Sequence, residues 1–203
     1  MFLPFHHFRQ VKDKYCIAYF GNHNDYLLLL IFLRPYIERQ FQGIQIYLAC
    51  KDDSFYLLKN EPRVVKKSEF DKNNFCYVRY LTLDMNKLLH PVHELLLESD
   101  IRIPHFEFTN NLQFQKVSIF TEGILPTKSL DDKNFSLLAR KYEQNGFTVY
   151  KNKIPDENCH LCSVENELFT SKMLSGIPCT LINSGLGTDL YRTLFPSLKV
   201  ISI

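Results

Sequence analysis

A polar turn at residues 22–25, Asn-His-Asn-Asp, follows the first apolar run of the chain and holds side chains suited to acid–base chemistry. Turns of this kind lie at the carboxyl ends of strands, which is where α/β sheets bind their ligands. His23 or Asp25 could therefore serve as a general base. The alternative is that Asn24 or Asp25 only caps the helix that follows.

Lys128 occupies the corresponding turn of the second half, after the apolar run at residues 116–121. A lysine at that place could pair with a phosphate group. The more common role of such a lysine is a solvated surface charge, and both alternatives stay open at this point.

A second carboxylate candidate lies at residues 163–167, Ser-Val-Glu-Asn-Glu, where a helix is predicted to begin. Glu165 could accept hydrogen bonds from the hydroxyl groups of a ribose or a hexose, with Ser163 and Asn166 beside it as further binding residues. The alternative is that Glu165 and Glu167 only stabilise the positive end of the helix dipole.

A glycine-rich turn, with Gly185, Gly187 and Thr188, follows a short apolar strand and opens another helix. A dinucleotide fingerprint would need a third glycine where Leu190 stands, and an acidic residue ~20 positions further on. Both are missing, so an NAD site is excluded. The turn could still bind a phosphate or carboxylate at the helix N-terminus, or the glycines could simply permit a tight turn.

The six cysteines include a single C-x-x-C, at residues 159–162. A zinc site would need a second pair at suitable spacing, so we expect no metal and no other cofactor. Cys16, Cys50 and Cys179 lie in or beside apolar runs, where a free cysteine behaves as a small hydrophobic residue. The histidine pairs at residues 6 and 7 and at His90 and His93 imply no third ligand, and we interpret them as surface or core residues.

The composition predicts a globular chain, since 45% of its 203 residues are hydrophobic. A net charge of +2 is too small to indicate nucleic-acid binding, and no P-loop motif is present. The apolar run at residues 26–33 is far shorter than the ~20 residues that span a bilayer. The start lacks a signal-peptide pattern, so a reduced, cytoplasmic compartment is expected.

Strands and helices alternate along both halves. In the first half, a strand at residues 15–20, a helix at 26–41 and a strand at 44–50 form a parallel unit with a right-handed crossover. Pro35 is predicted to kink or divide that helix. Further elements follow as short strands at 63–66 and 75–81 and a helix at 91–98.

The second half repeats the alternation, with a helix capped by Asp131 or Asp132 and a final strand at residues 199–203. The predicted fold class is therefore α/β, with mainly parallel sheets in two small Rossmann-like halves. We expect the halves to comprise residues 1–112 and 113–203.

The order of these parts resembles the ADP-heptose lipopolysaccharide heptosyltransferases and related GT-B glycosyltransferases. The run from Ser163 to Pro178 looks like the family's Asp-Ser/Thr-Gly-x-x-His-x-Ala helix ending in Gly-x-Pro, with Glu165 at the acidic position. Here Glu167 replaces the motif glycine and Thr170 the motif histidine. The chain is also shorter than the family's usual two-domain length.

The resemblance implies an inverting, metal-independent transfer of a sugar from a nucleotide-sugar donor to a glycan or lipid-linked acceptor. An acceptor half at residues 1–112 would carry Asp25 as the base. A donor half at 113–203 would hold the phosphates with Lys128 and the sugar or ribose with Glu165. No nucleic acid and no transmembrane segment are implied, and peripheral membrane contact is left open. The alternative is a non-catalytic α/β module, derived from a transferase, that binds a nucleotide or a partner.

Overall fold

The structure, a computed structural model, describes residues 13–41, 43–83, 89–103, 113–183 and 188–203. Its chain divides into two compact units. One comprises Met1–Gly21 with Ile31–Thr82, and the other comprises Asn22–Leu30 with Leu83–Ile203. The predicted boundary at residue 112 adjoins positions 104–112, which lie outside the described residues, and it stays a prediction.

The first unit contains a four-stranded parallel sheet in the order β3-β2-β1-β4. Its strands are β1 (Asp13–Tyr19), β2 (Ile44–Cys50), β3 (Val64–Lys66) and β4 (Tyr77–Leu81). The predicted strands and the parallel β1–β2 pair are confirmed. The chain adds β2 and β3 on one side of β1 and then β4 on the other, so the strand order reverses between β1 and β4. Such a reversal is the usual ligand-binding point of an open α/β sheet.

Helices α1 (Asn24–Gln40) and α2 (Phe55–Leu58) alternate with these strands in the sequence, and α3 (Pro91–Ser99) follows in the second unit. Helix α1 is continuous through Pro35, so the predicted division of the helix is wrong. Pro35 is exposed, and water can therefore satisfy a carbonyl group that its missing N–H leaves without a partner. The first residues of α1 belong to the second compact unit and the rest to the first.

The second unit contains a five-stranded parallel sheet in the order β6-β5-β7-β8-β9. Its strands are β5 (Lys116–Phe120), β6 (Thr148–Lys151), β7 (Cys159–Ser163), β8 (Cys179–Asn183) and β9 (Lys199–Ser202). Here the strand order reverses between β5 and β7. Helices α4 (Asp132–Gln144), α5 (Glu167–Leu174) and α6 (Thr188–Leu194) alternate with these strands. Two parallel sheets with interleaved helices confirm the α/β, Rossmann-like fold class.

The central strands of the second sheet, β5 and β7, pack against helix α4 in a hydrophobic core. Val117 and Ile119 of β5 and Cys162 of β7 are fully buried and pack with Leu138 and Ala139 of α4. Strands of parallel sheets are usually covered on both faces, which explains their nearly continuous apolar sequence. The loops that follow β5 and β7 therefore begin at the ends of well-packed strands.

All six cysteines are free, and five of them are buried, as expected for small hydrophobic side chains. In the part of the chain that the structure describes, no helix combines the length and apolar character needed to cross a membrane.

Candidate functional site

The loop after β5 turns back on itself and brings Lys128 inward. Leu130 N donates to Thr121 O at 2.8 Å, which closes the loop. Gly123 lies against the next turn of this loop, since an added Cβ would come within 2.7 Å of the Lys128 carbonyl oxygen. Only a glycine accommodates that approach without a shift of the backbone. As a result Lys128, at the end of the short 3-10 turn Pro126–Lys128, is only 4% exposed.

The loop after β7 is tied to the loop after β5. Asn166 caps α5 by accepting from Phe169 N at 2.9 Å, and its amide group donates to Glu122 O at 2.9 Å and to Ser163 Oγ at 3.0 Å. The carbonyl oxygen of Glu165 accepts from Ile124 N at 3.0 Å. These bonds fix the backbone on both sides of Glu165, and its side chain is buried.

Lys128 and Glu165 form a buried ion pair at the point where the strand order reverses. Lys128 Nζ lies 2.5 Å from Glu165 Oε2, and each of the two side chains is only 5% exposed. Burial raises the pKa of Glu165, while the nearby Lys128 charge acts in the opposite direction. The pair therefore places a basic and an acidic side chain together where little solvent reaches them.

Asp25 lies in the first turn of α1 and joins this cluster. It is 1% exposed, and neither carboxylate oxygen makes a hydrogen bond with any described residue. Burial, and secondly the charge of Glu165, raise the pKa of Asp25 to about 8. Because an unpaired buried carboxylate is costly, its retention in the protonated form is the expected response.

The capping alternative for this turn is wrong for both candidates. Helix α1 already begins at Asn24, which places Asp25 inside the first turn rather than at the cap. Asn24 Oδ1, like the Asp25 oxygens, makes no hydrogen bond with a described residue. Neither side chain therefore makes the geometric hydrogen bond of a helix cap.

His90, which we predicted to be a surface or core residue, is a further member of this cluster. It caps α3, its Nδ1 accepting from Val92 N at 3.2 Å. Its Nε2 lies 3.3 Å from Glu165 Oε1, although the two atoms are not aligned as a hydrogen bond. Burial lowers the pKa of His90 well below its usual value, so the ring is neutral.

Aromatic side chains enclose the cluster. The ring of Tyr26 lies 4.0 Å from the ring of His90. Tyr191 packs edge-on against His90, and its hydroxyl group lies 3.0 Å from Thr170 Oγ1. Burial, then the charges of Glu165 and Asp25, raise the pKa of Tyr191 well above its usual value. Thr170 therefore contacts the hydroxyl group of one of the aromatic side chains that enclose the cluster.

His23, the other base candidate, lies at the edge of this cluster. It is half-buried, and its ring packs edge-on against Tyr26 at 5.9 Å. Burial, and then the Lys128 charge, lower the pKa of His23. His23 is therefore more accessible than Asp25, but it is a weaker base.

Asp25, His90 and Glu165 each offer one ligand atom, and these atoms lie within 4.8 Å of one another, which raises the question of a metal ion. The hydrogen-bonding pattern does not fit one. A histidine ligand usually donates a proton from its other ring nitrogen, whereas His90 Nδ1 accepts from Val92 N and leaves the proton on Nε2. The Lys128 ammonium group beside Glu165 would also repel a cation. The expectation that no metal is needed stays a prediction, which this geometry supports.

The remaining predicted residues are engaged in local structure or lie outside the description. Ser163 Oγ donates to Val164 O and accepts from Asn166, so both side chains hold the loop together. Thr188 Oγ1 donates to Asn183 Oδ1 at 2.8 Å. Gly185 and Gly187 lie outside the described residues. Roles in donor binding stay predictions for all of these positions.

A groove of about 930 Å³ opens elsewhere in the second unit, at the amino ends of β5, β7, β8 and β9. It is lined by Lys116, His160, Thr180 and Lys199 among others. Ligands of open α/β sheets bind at the opposite, carboxyl ends of the strands. We therefore assign the candidate site to the cluster of Asp25, His90, Lys128 and Glu165.

The fold resembles solved glycosyltransferase structures. The chain aligns over 94% of its length with the iron-containing dodecameric glycosyltransferase TibC from enterotoxigenic E. coli, at 13% identity and a TM-score of 0.57. The complex of the dodecameric iron-containing heptosyltransferase TibC with ADP-D-β-D-heptose gives 94% coverage, 13% identity and a TM-score of 0.54. The E. coli ADP-heptose lipopolysaccharide heptosyltransferase II aligns over 92% of this chain, at 9% identity and a TM-score of 0.50.

The extent of these matches differs between the neighbours. The chain spans 63% and 62% of the two TibC chains, less than two thirds of their length, and 89% of heptosyltransferase II. No family model matches the sequence, and comparison with curated protein sequences finds no significant match. At such low identity the likeness establishes the fold alone, and the chain therefore has a GT-B-like fold of the kind seen in heptosyltransferases.

Proposed function

We propose that this chain is a glycosyltransferase that moves a sugar from a nucleotide-sugar donor to a hydroxyl group of a glycan or lipid-linked acceptor. The observation that carries the proposal is the meeting of Asp25, Lys128 and Glu165 in one buried cluster. A carboxylate oxygen of Glu165 lies within 4.8 Å of one of Asp25, and Lys128 pairs with Oε2 of Glu165. A base, a cation and a hydroxyl-binding carboxylate are the groups that such a transfer needs at one place.

Each group has a distinct part in the proposed reaction. Asp25 takes the proton of the acceptor hydroxyl as that oxygen forms a bond to the anomeric carbon. The bond from the anomeric carbon to the donor phosphate breaks on the opposite face, and the diphosphate leaves with the bonding electrons. Lys128 stabilises the charge that develops on the diphosphate, and Glu165 accepts hydrogen bonds from the hydroxyl groups of the donor.

The acid–base properties of Asp25 suit this part. With its pKa raised to about 8, the carboxylate is a stronger base than an exposed aspartate and is still partly ionised near neutral pH. Burial that excludes water also strengthens the interaction of Lys128 with a phosphate. No metal is required in this scheme, because Lys128 and the helix N-termini carry the phosphate charge.

A second candidate function is a non-catalytic module, derived from a transferase, that binds a nucleotide or a partner. One observation favours it. Asp25, His90, Lys128 and Glu165 are each 4% exposed or less, and the Lys128 charge is already paired with Glu165. A ligand must open this cluster before it can contact the groups that would act on it.

A thermal-shift panel of UDP, GDP, ADP, CMP and their sugars tests for a donor site. ADP-sugars come first, because a structural neighbour was solved with ADP-D-β-D-heptose. At a ligand concentration a hundredfold above Kd, we expect a stabilisation of about 2.7 kcal/mol. If no nucleotide or nucleotide sugar stabilises the chain, the donor site is refuted.

Asp25→Asn separates the two candidate functions. The variant should lose transfer while it keeps the nucleotide-induced stabilisation, since the amide cannot take a proton from the acceptor. A variant that still transfers sugar would exclude Asp25 as the base. A wild-type chain that binds nucleotide but shows no transfer with glycan or lipid-linked acceptors would favour the non-catalytic module.

The proposed location is the cytoplasm, where nucleotide sugars would meet the chain. Its six free cysteines support a reducing compartment. A lipid-linked acceptor would require peripheral contact with a membrane, and vesicle flotation with and without that lipid tests this contact.

A further inference from the structure

The hydrogen bond that His90 accepts from helix α3 determines which of its ring nitrogens carries the proton. Val92 N donates to Nδ1, so Nδ1 presents its lone pair to the helix. The ring is neutral and fully buried, so it carries one proton, and that proton is on Nε2. The N-terminus of α3 thereby selects a single tautomer of His90.

The proton-bearing nitrogen faces the carboxylates of the site. Nε2 is 3.3 Å from Glu165 Oε1, and a carboxylate oxygen of Asp25 lies within 4.8 Å of a ring nitrogen of His90 and of a carboxylate oxygen of Glu165. The contact is close but poorly aligned. Hydrogen bonds in catalytic sites are often long without ligand and tighten in the working complex.

Glu165 has two oxygens with different partners. Oε2 is bound by Lys128, while Oε1 makes no aligned hydrogen bond with a described residue. When a phosphate draws Lys128 away, Glu165 would lose its one strong partner. A donor that cannot leave, such as a capping histidine, would then keep the carboxylate in place.

We propose that His90 is a positioning residue of this site. It donates Nε2–H to Oε1 of Glu165 and holds that carboxylate while Lys128 moves to the donor phosphates. The helix α3 N-terminus sets the tautomer through Nδ1, and the site uses the other nitrogen. The effect on transfer rests on the proposed function, whereas the tautomer and the contact with Glu165 do not.

The first test uses NMR of the full chain labelled with 15N-histidine, without any ligand. We expect His90 to be neutral with its proton on Nε2 throughout the range of pH 6 to 8. Substitution E165Q should move the His90 Nε2–H resonance and leave that of His160 unchanged. His160 is a control, because it is partly buried and its Nε2 lies 2.8 Å from Thr180 Oγ1. A proton on Nδ1, or an unmoved His90 resonance, would overturn the proposal.

Substitution E165Q leaves Lys128 as a buried charge without its partner and could prevent folding. The double variant E165Q/K128M removes both charges together and gives the same NMR readout in that case.

The second test separates the two nitrogens of His90. An asparagine side chain places its oxygen near the position of Nδ1, so H90N keeps the cap of α3 and loses the donor to Glu165. A glutamine side chain places its amide nitrogen near the position of Nε2, so H90Q keeps the donor and weakens the cap. We expect H90N to be the more stable variant and H90Q the more active one.

The expected loss of activity follows from the effect of a misplaced group, since a displacement near 1 Å can lower kcat by about 10²-fold. H90Q should exceed H90N in kcat at least about tenfold under the same rule, with little difference in KM for the donor. If activity follows stability instead, His90 is only a helix cap. If the wild-type chain transfers no sugar, the proposed function fails, and the NMR test still decides the contact between His90 and Glu165.

Discussion

Substitution Asp25→Asn should make this chain more stable, although it removes the proposed catalytic base. In the folded chain the carboxyl group is protonated at neutral pH because its pKa is about 8. In the unfolded chain the same group is ionised, since its pKa is then close to 3.8. The folded state therefore binds an extra proton between these values, and stability falls as pH rises through that window.

The magnitude follows from about 1.4 kcal/mol per pH unit. At pH 7 the unfolded aspartate is about three units above its pKa, so its ionisation favours unfolding by about 4 kcal/mol. Asparagine removes that term, but its amide group needs hydrogen-bond partners in the same place. A carboxylate oxygen of Glu165 lies within 4.8 Å of Asp25, and with that oxygen as a partner we expect a net gain of about 2–4 kcal/mol at pH 7.

Urea unfolding of both proteins between pH 5 and pH 8.5 measures this gain. The advantage of Asp25→Asn over the wild-type chain, which isolates the contribution of this one group, should grow by about 1.4 kcal/mol per pH unit up to pH 8. Asp53→Asn is the matched control, because Asp53 is exposed in a short 3-10 turn and a surface change of this kind has little effect. An advantage that is absent, or that does not grow with pH, would refute the account of Asp25 given above.

Further substitutions test other contacts of the cluster. Lys128→Met should destabilise the chain by about 3–5 kcal/mol, because it leaves Glu165 buried without its partner, and the added change E165Q should recover much of that loss in urea unfolding. Tyr191→Phe and Thr170→Val should each cost about 1 kcal/mol, and the double variant should cost less than the sum, as a double-mutant cycle will measure. Asn166→Ala should cost at least about 1 kcal/mol through the lost cap of α5, and a smaller loss would show that its bonds to the loops are of little value.

Acid should also destabilise the chain, for a reason opposite to that at Asp25. Burial holds the pKa of His90 well below its usual value and lowers that of His160 to about 4. The unfolded chain therefore binds more protons below about pH 6.5, and stability falls as the pH is lowered from there. Urea unfolding of H90Q should show a weaker acid dependence than wild type.

The elements of the fold could be predicted because the sequence marks them locally. Glycines with positive φ end elements at Gly43, Gly146 and Gly176, and apolar runs between such marks give the strands. Pro35 was predicted to kink or divide helix α1, and the division is wrong, because the helix continues through this exposed position, where water can replace the lost hydrogen bond.

The candidate site could be predicted only in part. Asp25, Lys128 and Glu165 were selected because each follows a strand, and the structure brings them together. Their mutual burial depends on the strand order, which local patterns do not encode. Residue His90 was missed because a capping histidine looks like a local feature, although it too follows a strand, β4, at a reversal of the strand order. Its place in the sequence after that strand was the signal that could have indicated it.

The sharing of helix α1 between two compact units has a consequence for synthesis on the ribosome. Residues 31–82 can fold with the first unit soon after they emerge, but Asn22–Leu30 contact the second unit. Asp25 therefore waits for Glu165, made about 140 residues later, which at 5–20 residues per second is roughly 7–28 s. Until the cluster forms, the Asp25 carboxyl group stays hydrated and ionised, and it takes up its proton when it becomes buried beside Glu165. Completion of the cluster is thus a late, proton-consuming step in the maturation of the nascent chain.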